Sequence, residues 1–289
     1  MNGSMTPVSV DALLTEAAAR LRSRSSSPRL DAELLLARVL GCGRARLLAW
    51  PDTPVEPAPA ERFAALVARR AAGEPLAYLT GRRDFWSLTL AVDAAVLVPR
   101  PETELLVELA LRLLPDGVAL RMLDLGTGSG ALALALASER PQWRITAVDQ
   151  SAAALAVARA NAHNLGLGTV EFLEGDWYAP LAGRRFDAAL ANPPYLAADD
   201  PHLGDDGLAF EPRAALVAGP TGLEALATIV AGAGDHLEPG APLLLEHGAT
   251  QGAAVRGLLA QAGLTGVRTQ RDLAGQPRVS LGFRAPDRG

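Results

Sequence analysis

From residue 120 onward, short apolar runs alternate with longer helical patterns, and that alternation restricts the fold more than any other feature of the chain. Strands are expected at 120–125, 144–148, 170–173, 186–191 and 242–246, and helices at 131–138, 152–164, 223–233 and 251–262. Two further strands near 267–271 and 278–283 close the series. Strands and helices taken in turn predict an α/β domain with a mostly parallel sheet and helices on both faces. In such open sheets, ligands sit outside the carboxyl ends of the strands, so the residues that follow each strand carry the functional reading.

The first strand runs into Asp124-Leu125-Gly126-Thr127-Gly128-Ser129-Gly130, which opens a helix. Glycines let backbone pass close to a ligand, and free N–H groups at a helix start favour polar or anionic groups. Gly126, Thr127, Gly128, Ser129 and Gly130 are therefore candidate cofactor contacts, although a tight strand-to-helix turn needs the same glycines. Gly128-Ser129-Gly130-Ala131-Leu132-Ala133 also satisfies a Gly-x-Gly-x-x-Ala dinucleotide fingerprint. The second strand ends at Asp149, about 20 residues past the glycines, where a carboxylate can accept both ribose hydroxyls of a nucleoside. Asp149 or Ser151 can equally cap the helix that begins at Ala152. After the third strand come Asp176, which can bond the exocyclic amine of adenine, and Trp177, which can pack on its face; a turn with a core tryptophan is the alternative.

The fourth strand delivers Asn192-Pro193-Pro194-Tyr195. An amide or exocyclic amino nitrogen is a poor nucleophile, because its lone pair is delocalised. The Asn192 side-chain oxygen and the Pro193 carbonyl can together accept both of its N–H hydrogens. That turns the out-of-plane face of the nitrogen toward an electrophilic methyl, which is catalysis by orientation. The two prolines fix φ, and the Tyr195 ring can wall a flat substrate group. A stiff turn closing a strand would use the same dipeptides. The order of the parts separates these readings. A glycine loop, a ribose acid, an adenine patch and Asn-Pro-Pro-Tyr form the layout of class I methyltransferases that use S-adenosylmethionine on planar nitrogens. The fold expected on that basis is Rossmann-like, with an antiparallel last strand.

Residues 9–73 read as a small helical bundle with no catalytic constellation, so partner docking is its natural role. Ser9 can cap its first helix, Ser26-Ser27-Pro28 breaks it, Leu30, Leu34, Leu35, Val39 and Leu40 recur at helical spacing before Gly41, and Phe63, Leu66 and Val67 line a third helix. Residues 85–98 suggest a hairpin or extended connector, and Pro101 suits a first helical turn. The expected organisation is a docking domain at 1–84, a connector at 85–104 and a methyltransferase domain at 105–289. Twelve arginines face nine acidic residues up to Asp84, whereas fifteen face twenty-three from Phe85 onward. An acidic main domain disfavours stable nucleic-acid binding, which rests on a basic footprint. The single cysteine, Cys42, excludes an internal disulfide, and no apolar stretch is long enough to span a bilayer, so a cytoplasmic protein with no membrane association is expected. No metal site is expected from the spacing of acidic residues and histidines. His163, His202, His236 and His247 read as surface or capping residues, with Glu246-His247 near enough to a strand end for a supporting role.

Taken over nearly its whole length, the sequence resembles the HemK family of protein-glutamine methyltransferases, specifically its release factor enzymes. The likeness lies in Asp31-Ala32-Glu33-Leu34-Leu35-Leu36, Tyr78-Leu79-Thr80-Gly81, Phe85-Trp86 and Pro99-Arg100-Pro101-Glu102-Thr103-Glu104. It continues through the glycine loop, Asn192-Pro193-Pro194-Tyr195 and Glu211-Pro212-Arg213-Ala214-Ala215-Leu216. The resemblance implies methylation of the glutamine amide in the Gly-Gly-Gln loop of class I peptide chain release factors. S-adenosylmethionine would be held by the glycine loop, Asp149 and Trp177. The glutamine would be held by Asn192, Pro193, Pro194 and Tyr195, with Asn192 near both ligands. A ribosomal-protein glutamine, or an adenine amino group of DNA or RNA, is the alternative substrate. Ser129 stands where threonine is common in the family's glycine loop.

Overall fold

The computed structural model describes residues 8–204 and 207–286, so positions 1–7, 205–206 and 287–289 of the expected domains lie outside the described residues. The chain divides into two compact units. One runs through Arg82 and takes in Gly204–Phe210; the other holds Arg83–Leu203 and the chain from Glu211 onward.

The first unit contains α1 (Val10–Leu21), α2 (Pro28–Leu40), α3 (Arg44–Ala49), α4 (Pro57–Ala71) and α5 (Leu76–Thr80). The Ser9 hydroxyl accepts from the Ala12 N–H at 3.3 Å and caps α1. Pro28 begins α2, and Gly41, at φ +61°, ends it in the left-handed conformation. The apolar spacing misjudges the inward face of α2. Leu30 is exposed and Leu34 half-buried, while Ala32, Leu35 and Leu36 join Leu14, Leu21, Phe63 and Val67 in the core. The cause is polar: Asp31 and Glu33 are themselves buried. Asp31 pairs with Arg70 of α4 at 2.8 Å, and Glu33 pairs with Arg29 and Arg44. Removing one partner of the Asp31–Arg70 pair, largely buried on both sides, costs about 3–5 kcal/mol, so that pair sets the helix rotation along with the leucines.

Where the chain enters the second unit, strands Arg82–Phe85 and Leu88–Ala91 form a two-stranded sheet. A single 3-10 turn at Pro101–Thr103 then leads into α6 (Glu104–Leu113). Beyond it lie β1 (Arg121–Leu125), α7 (Ala131–Glu139), β2 (Arg144–Asp149), α8 (Ala152–Asn164), β3 (Glu171–Glu174) and β4 (Ala188–Ala191). They are followed by α9 (Glu224–His236), β5 (Pro242–Glu246), α10 (Gly252–Gln261), β6 (Thr265–Arg271) and β7 (Pro277–Phe283). The seven strands lie in the order β6-β7-β5-β4-β1-β2-β3. All neighbours are parallel except at β7, which is antiparallel to both β5 and β6. One core lies under α6 and α7, with Leu106, Leu109, Leu132 and Leu134; the other lies under α9 and α10, with Leu226, Ile229, Val255 and Leu259.

The chain reverses its direction of strand addition between β1 and β4, which is the position where open α/β sheets leave a crevice. Leu125 of β1 pairs with Val148 of β2 on one side and with Ala191 of β4 on the other. The ends of three strands are therefore level, and the loops beginning at Gly126, Asp149 and Asn192 leave from one edge. No helix among the described residues is long and apolar enough to cross a membrane.

Candidate active site

The turn after β1 is held by the buried Asp124. Its Oδ2 accepts from the Thr127 hydroxyl at 2.6 Å, and its Oδ1 has no hydrogen-bond partner among the described residues. Burial pushes this carboxyl up to about 7. The Gly126 and Thr127 N–H groups donate to the Val148 carbonyl at 2.8 and 3.0 Å, tying the turn to β2. Gly126 has φ +75°, and a Cβ there would lie 3.4 Å from the Trp177 ring. Gly130, at φ +85°, faces Leu134 and Ala158 instead, so its role is close packing of α7.

Asp149 ends β2 and aims one carboxylate oxygen at each of two backbone donors, the Gly128 and Ser151 N–H groups, both at 2.9 Å. The cap of α8 is the Ser151 hydroxyl, which accepts from the Ala154 N–H at 3.1 Å. Each Asp149 oxygen can accept a further hydrogen bond. Burial raises its pKa, against the two backbone donors. Trp177 adopts φ +43°, a left-handed conformation rare for a bulky residue and of the kind that clusters at binding sites. It packs on the core under α9 and also lines the crevice, so the core and ligand-wall readings describe two sides of one ring.

At the end of β4, the Asn192 Nδ2 donates to the Thr103 hydroxyl at 3.0 Å. At the end of β5, burial pushes the Glu246 carboxyl up to about 7. The Tyr195 carbonyl accepts from the Gln251 side chain at 2.9 Å, and its ring packs against the core. Burial pushes the Tyr195 hydroxyl up to about 12, which leaves it a neutral wall.

These loops enclose a cavity of about 390 Å³, within the roughly 300–1,000 Å³ range of small-molecule sites. Gly126, Thr127, Gly128, Ser129, Asp149, Asp176, Trp177, Asn192 and Pro194 line it; Gly130, Pro193 and Tyr195 do not. The sequence reading missed Thr103, the apolar wall of Val96, Leu97 and Pro99, and the Pro212, Ala214 and Ala215 segment. The signal for the last was the Glu211-Pro212-Arg213-Ala214 string. Glu211 is buried, accepts from the Val98 N–H at 3.0 Å and pairs with Arg100, which fixes the wall. His247, read as a surface or cap residue, is instead wholly buried, with Nε2 2.8 Å from the Ser280 hydroxyl.

The residues fit S-adenosylmethionine. A carboxylate with spare acceptor capacity suits a ribose, and a flat indole beside a glycine held at φ +75° suits a purine. The level strand ends provide one continuous slot for both.

A family model described as the PrmC N-terminal domain matches residues 12–81, and one described as the methyltransferase small domain matches residues 102–204. The chain is 52% identical to the release factor glutamine methyltransferase of Xylella fastidiosa strain Temecula1, covering 88% of this chain and 92% of that one. It is 49% identical to the enzyme of the same description from Salmonella typhimurium, covering 94% and 98%. A Thermus thermophilus 16S rRNA N2 G1207 methyltransferase, solved with AdoMet and guanosine, superposes with a TM-score of 0.54 at 22% identity, over 70% of this chain and 49% of that one; this likeness is one of fold.

Proposed function

The chain belongs to the family of release factor glutamine methyltransferases, and from that premise we propose how its residues share the work. The enzyme transfers a methyl group from S-adenosylmethionine to the side-chain amide nitrogen of a glutamine in a release factor. The acceptor is the glutamine of the Gly-Gly-Gln motif of class I factors, which places the reaction in translation termination in the cytoplasm. When bound, the cofactor supplies a methyl group carried on a cationic sulfur.

One observation carries the assignment of roles: an Asn192 N–H is held by the Thr103 hydroxyl, which orients the amide. With the nitrogen branch turned to Thr103, the carbonyl oxygen, an acceptor, occupies the other branch of the amide and is the atom assigned to the substrate N–H. With the Pro193 carbonyl it takes both N–H hydrogens of the substrate amide, so the amide plane is fixed and the face of the nitrogen is turned to the cofactor. Alignment of this kind can supply several kcal/mol without a general base. Pro194 and Tyr195 stiffen and wall the acceptor side. Gly126, Thr127, Gly128 and Ser129 cradle the cofactor with Gly130 packing the turn, Asp149 takes the ribose, and Asp176 and Trp177 take the adenine. Residues 1–84 recognise the release factor, 85–104 connect, and 105–289 carry the reaction; the match of the PrmC N-terminal domain to 12–81 supports that division.

The test is transfer of labelled methyl from S-adenosylmethionine to a class I release factor, beside a copy whose Gly-Gly-Gln glutamine is changed to alanine. Label on the intact factor alone is expected. Label on neither protein, with label on a ribosomal protein or on nucleic acid, would overturn the substrate assignment.

A further inference from the structure

We infer that Gln251 is a positioning residue for the methyl transfer: it holds the Asn192–Tyr195 loop by the Tyr195 carbonyl and so fixes where the Asn192 and Pro193 acceptors lie. This rests on the reading of those two groups as acceptors for the substrate amide.

A loop that contains Pro193 and Pro194 lacks two backbone N–H groups, so its carbonyls carry much of its anchoring. One end leaves β4 in register with its neighbours, where Ala191 pairs with Leu125 and Leu245. The other end is gripped by Gln251, the residue just before α10. Its Nε2 donates to the Tyr195 carbonyl at 2.9 Å and to the Gly222 carbonyl at 3.2 Å, and its Oε1 accepts from the Gly248 N–H at 2.9 Å. Both N–H hydrogens and the oxygen of the side chain are thereby used. All three partners are backbone groups with fixed roles. Turning the amide over would set its oxygen against two carbonyls and its NH₂ against an N–H, so its orientation is unique. Gly222 brings the loop closer than a side chain would permit. It has φ +77°, and a Cβ there would lie 2.6 Å from the Tyr195 carbonyl oxygen and 3.1 Å from the Ala197 nitrogen.

Gly248 is itself held from both sides. Its N–H goes to Gln251, and its carbonyl lies 2.8 Å from Nδ1 of the wholly buried His247. A carbonyl only accepts, so the hydrogen of a neutral imidazole is on Nδ1, and Nε2 accepts from the Ser280 hydroxyl at 2.8 Å. Ser280 in turn lies 2.7 Å from the Thr269 hydroxyl, which accepts from the Arg256 guanidinium at 2.7 Å. Burial, with the charges of Arg278 and Arg256, holds the imidazole below its usual range and so favours the neutral form. A polar chain from α10 through β6 and β7 therefore ends on the residue that orients Gln251. This network lies behind the tetrapeptide, since Gln251, Gly222, Gly248 and His247 do not line the cavity.

The test uses the full chain with S-adenosylmethionine and a release factor. Gln251→Leu should lower kcat roughly 10- to 100-fold, the scale of loss that a small misplacement of reacting groups brings. KM and calorimetric affinity for S-adenosylmethionine should stay within a few-fold. Gln251→Glu matches glutamine in size but cannot donate when ionised, so it should lose as much as Gln251→Leu. Gly222→Ala, which presses on the same carbonyl, should lower kcat likewise. In an Asn192→Ala background, Gln251→Leu should cost clearly less than it does in the wild type, because one of the acceptors it positions is already gone. Full kcat in Gln251→Glu, or losses that multiply in the double variant, would mean a packing role and overturn the inference. A second readout needs neither variant nor acceptor. The Gln251 side-chain amide hydrogens, assigned by through-bond NMR, should exchange with solvent at least roughly tenfold more slowly than those of Gln261, exposed at the far end of the same helix. Equal exchange at the two positions would overturn the inference. If the wild type methylates no release factor while Gln251 is protected, the substrate assignment fails and the hold on the Tyr195 carbonyl stands.

Discussion

The carboxyl of Asp124 should make the stability of the methyltransferase unit depend on pH in a direction opposite to that of an ordinary salt-bridged acid. It lies wholly buried under the glycine turn, with one oxygen unpartnered, and burial raises it from 3.8 to about 7 despite the Thr127 hydroxyl. A folded-state pKa above the unfolded one means that its contribution is whole below about 3.8 and is lost as pH rises through about 7. At 1.36 kcal/mol per unit, the full window is worth about 4 kcal/mol, of which about 3 falls between pH 5 and 8. Asp124→Asn has nearly the same shape and does not titrate. Urea unfolding followed by the fluorescence of the buried Trp143 would compare the two proteins at both pH values. The gap between them should move by about 3 kcal/mol in favour of Asp124→Asn on going from pH 5 to 8. Ordinary carboxylates such as Glu171 and Asp272, whose pKa values are lowered, contribute equally to both proteins and cancel. A gap that is the same at both pH values would show that Asp124 ionises normally and that the argument from burial is wrong.

Asn192→Ala should lower kcat by roughly 100-fold or more, the scale seen when a preorganised hydrogen-bonding group is removed, while calorimetric binding of S-adenosylmethionine changes little; near-wild-type turnover would refute the amide clamp. Asp149→Ala should weaken S-adenosylmethionine binding by roughly 10- to 100-fold, from the 1.5–3 kcal/mol of a hydrogen bond to a charged group; unchanged binding would refute the ribose assignment. Gly126→Ala places a Cβ 3.4 Å from the Trp177 ring at φ +75°. It should cost about 1–2 kcal/mol in backbone strain and weaken cofactor binding, and a thermal midpoint equal to the wild type's would contradict the strained geometry.

The sheet was legible because its signals are local. The runs at 152–164 and 242–246 fall on α8 and β5 as observed, since a strand or helix buried on its inner side carries its pattern in consecutive residues. The residues delivered by the glycine turn, β2 and β4 were legible for the same reason: each follows its strand directly. The face of α2 was not, because Asp31 and Glu33 are held inside by Arg70, Arg29 and Arg44, and a count of apolar residues places charges outside. The cavity wall from Pro212, Ala214 and Ala215 was equally hidden, since it depends on Glu211 reaching back more than a hundred residues to the Val98 N–H and to Arg100.

The same distinction explains why the neighbours of the Asn192 side chain cannot be read from the tetrapeptide that contains it. Thr103, which accepts from its amide, lies 89 residues earlier, and Glu246 belongs to another strand. What brings Glu246 there is register. Leu245 of β5 pairs with Ala191 of β4, so the next residue on each strand, Glu246 and Asn192, emerges side by side at the sheet edge. A carboxylate buried there without a salt bridge is a costly choice for stability, since an unpaired buried charge is among the larger penalties a fold can carry. An apolar residue at 246 would remove that penalty and leave the sheet intact. Burial answers that penalty by raising the carboxyl to about 7, a shift that follows from strand register and that no spacing of residues along the chain displays.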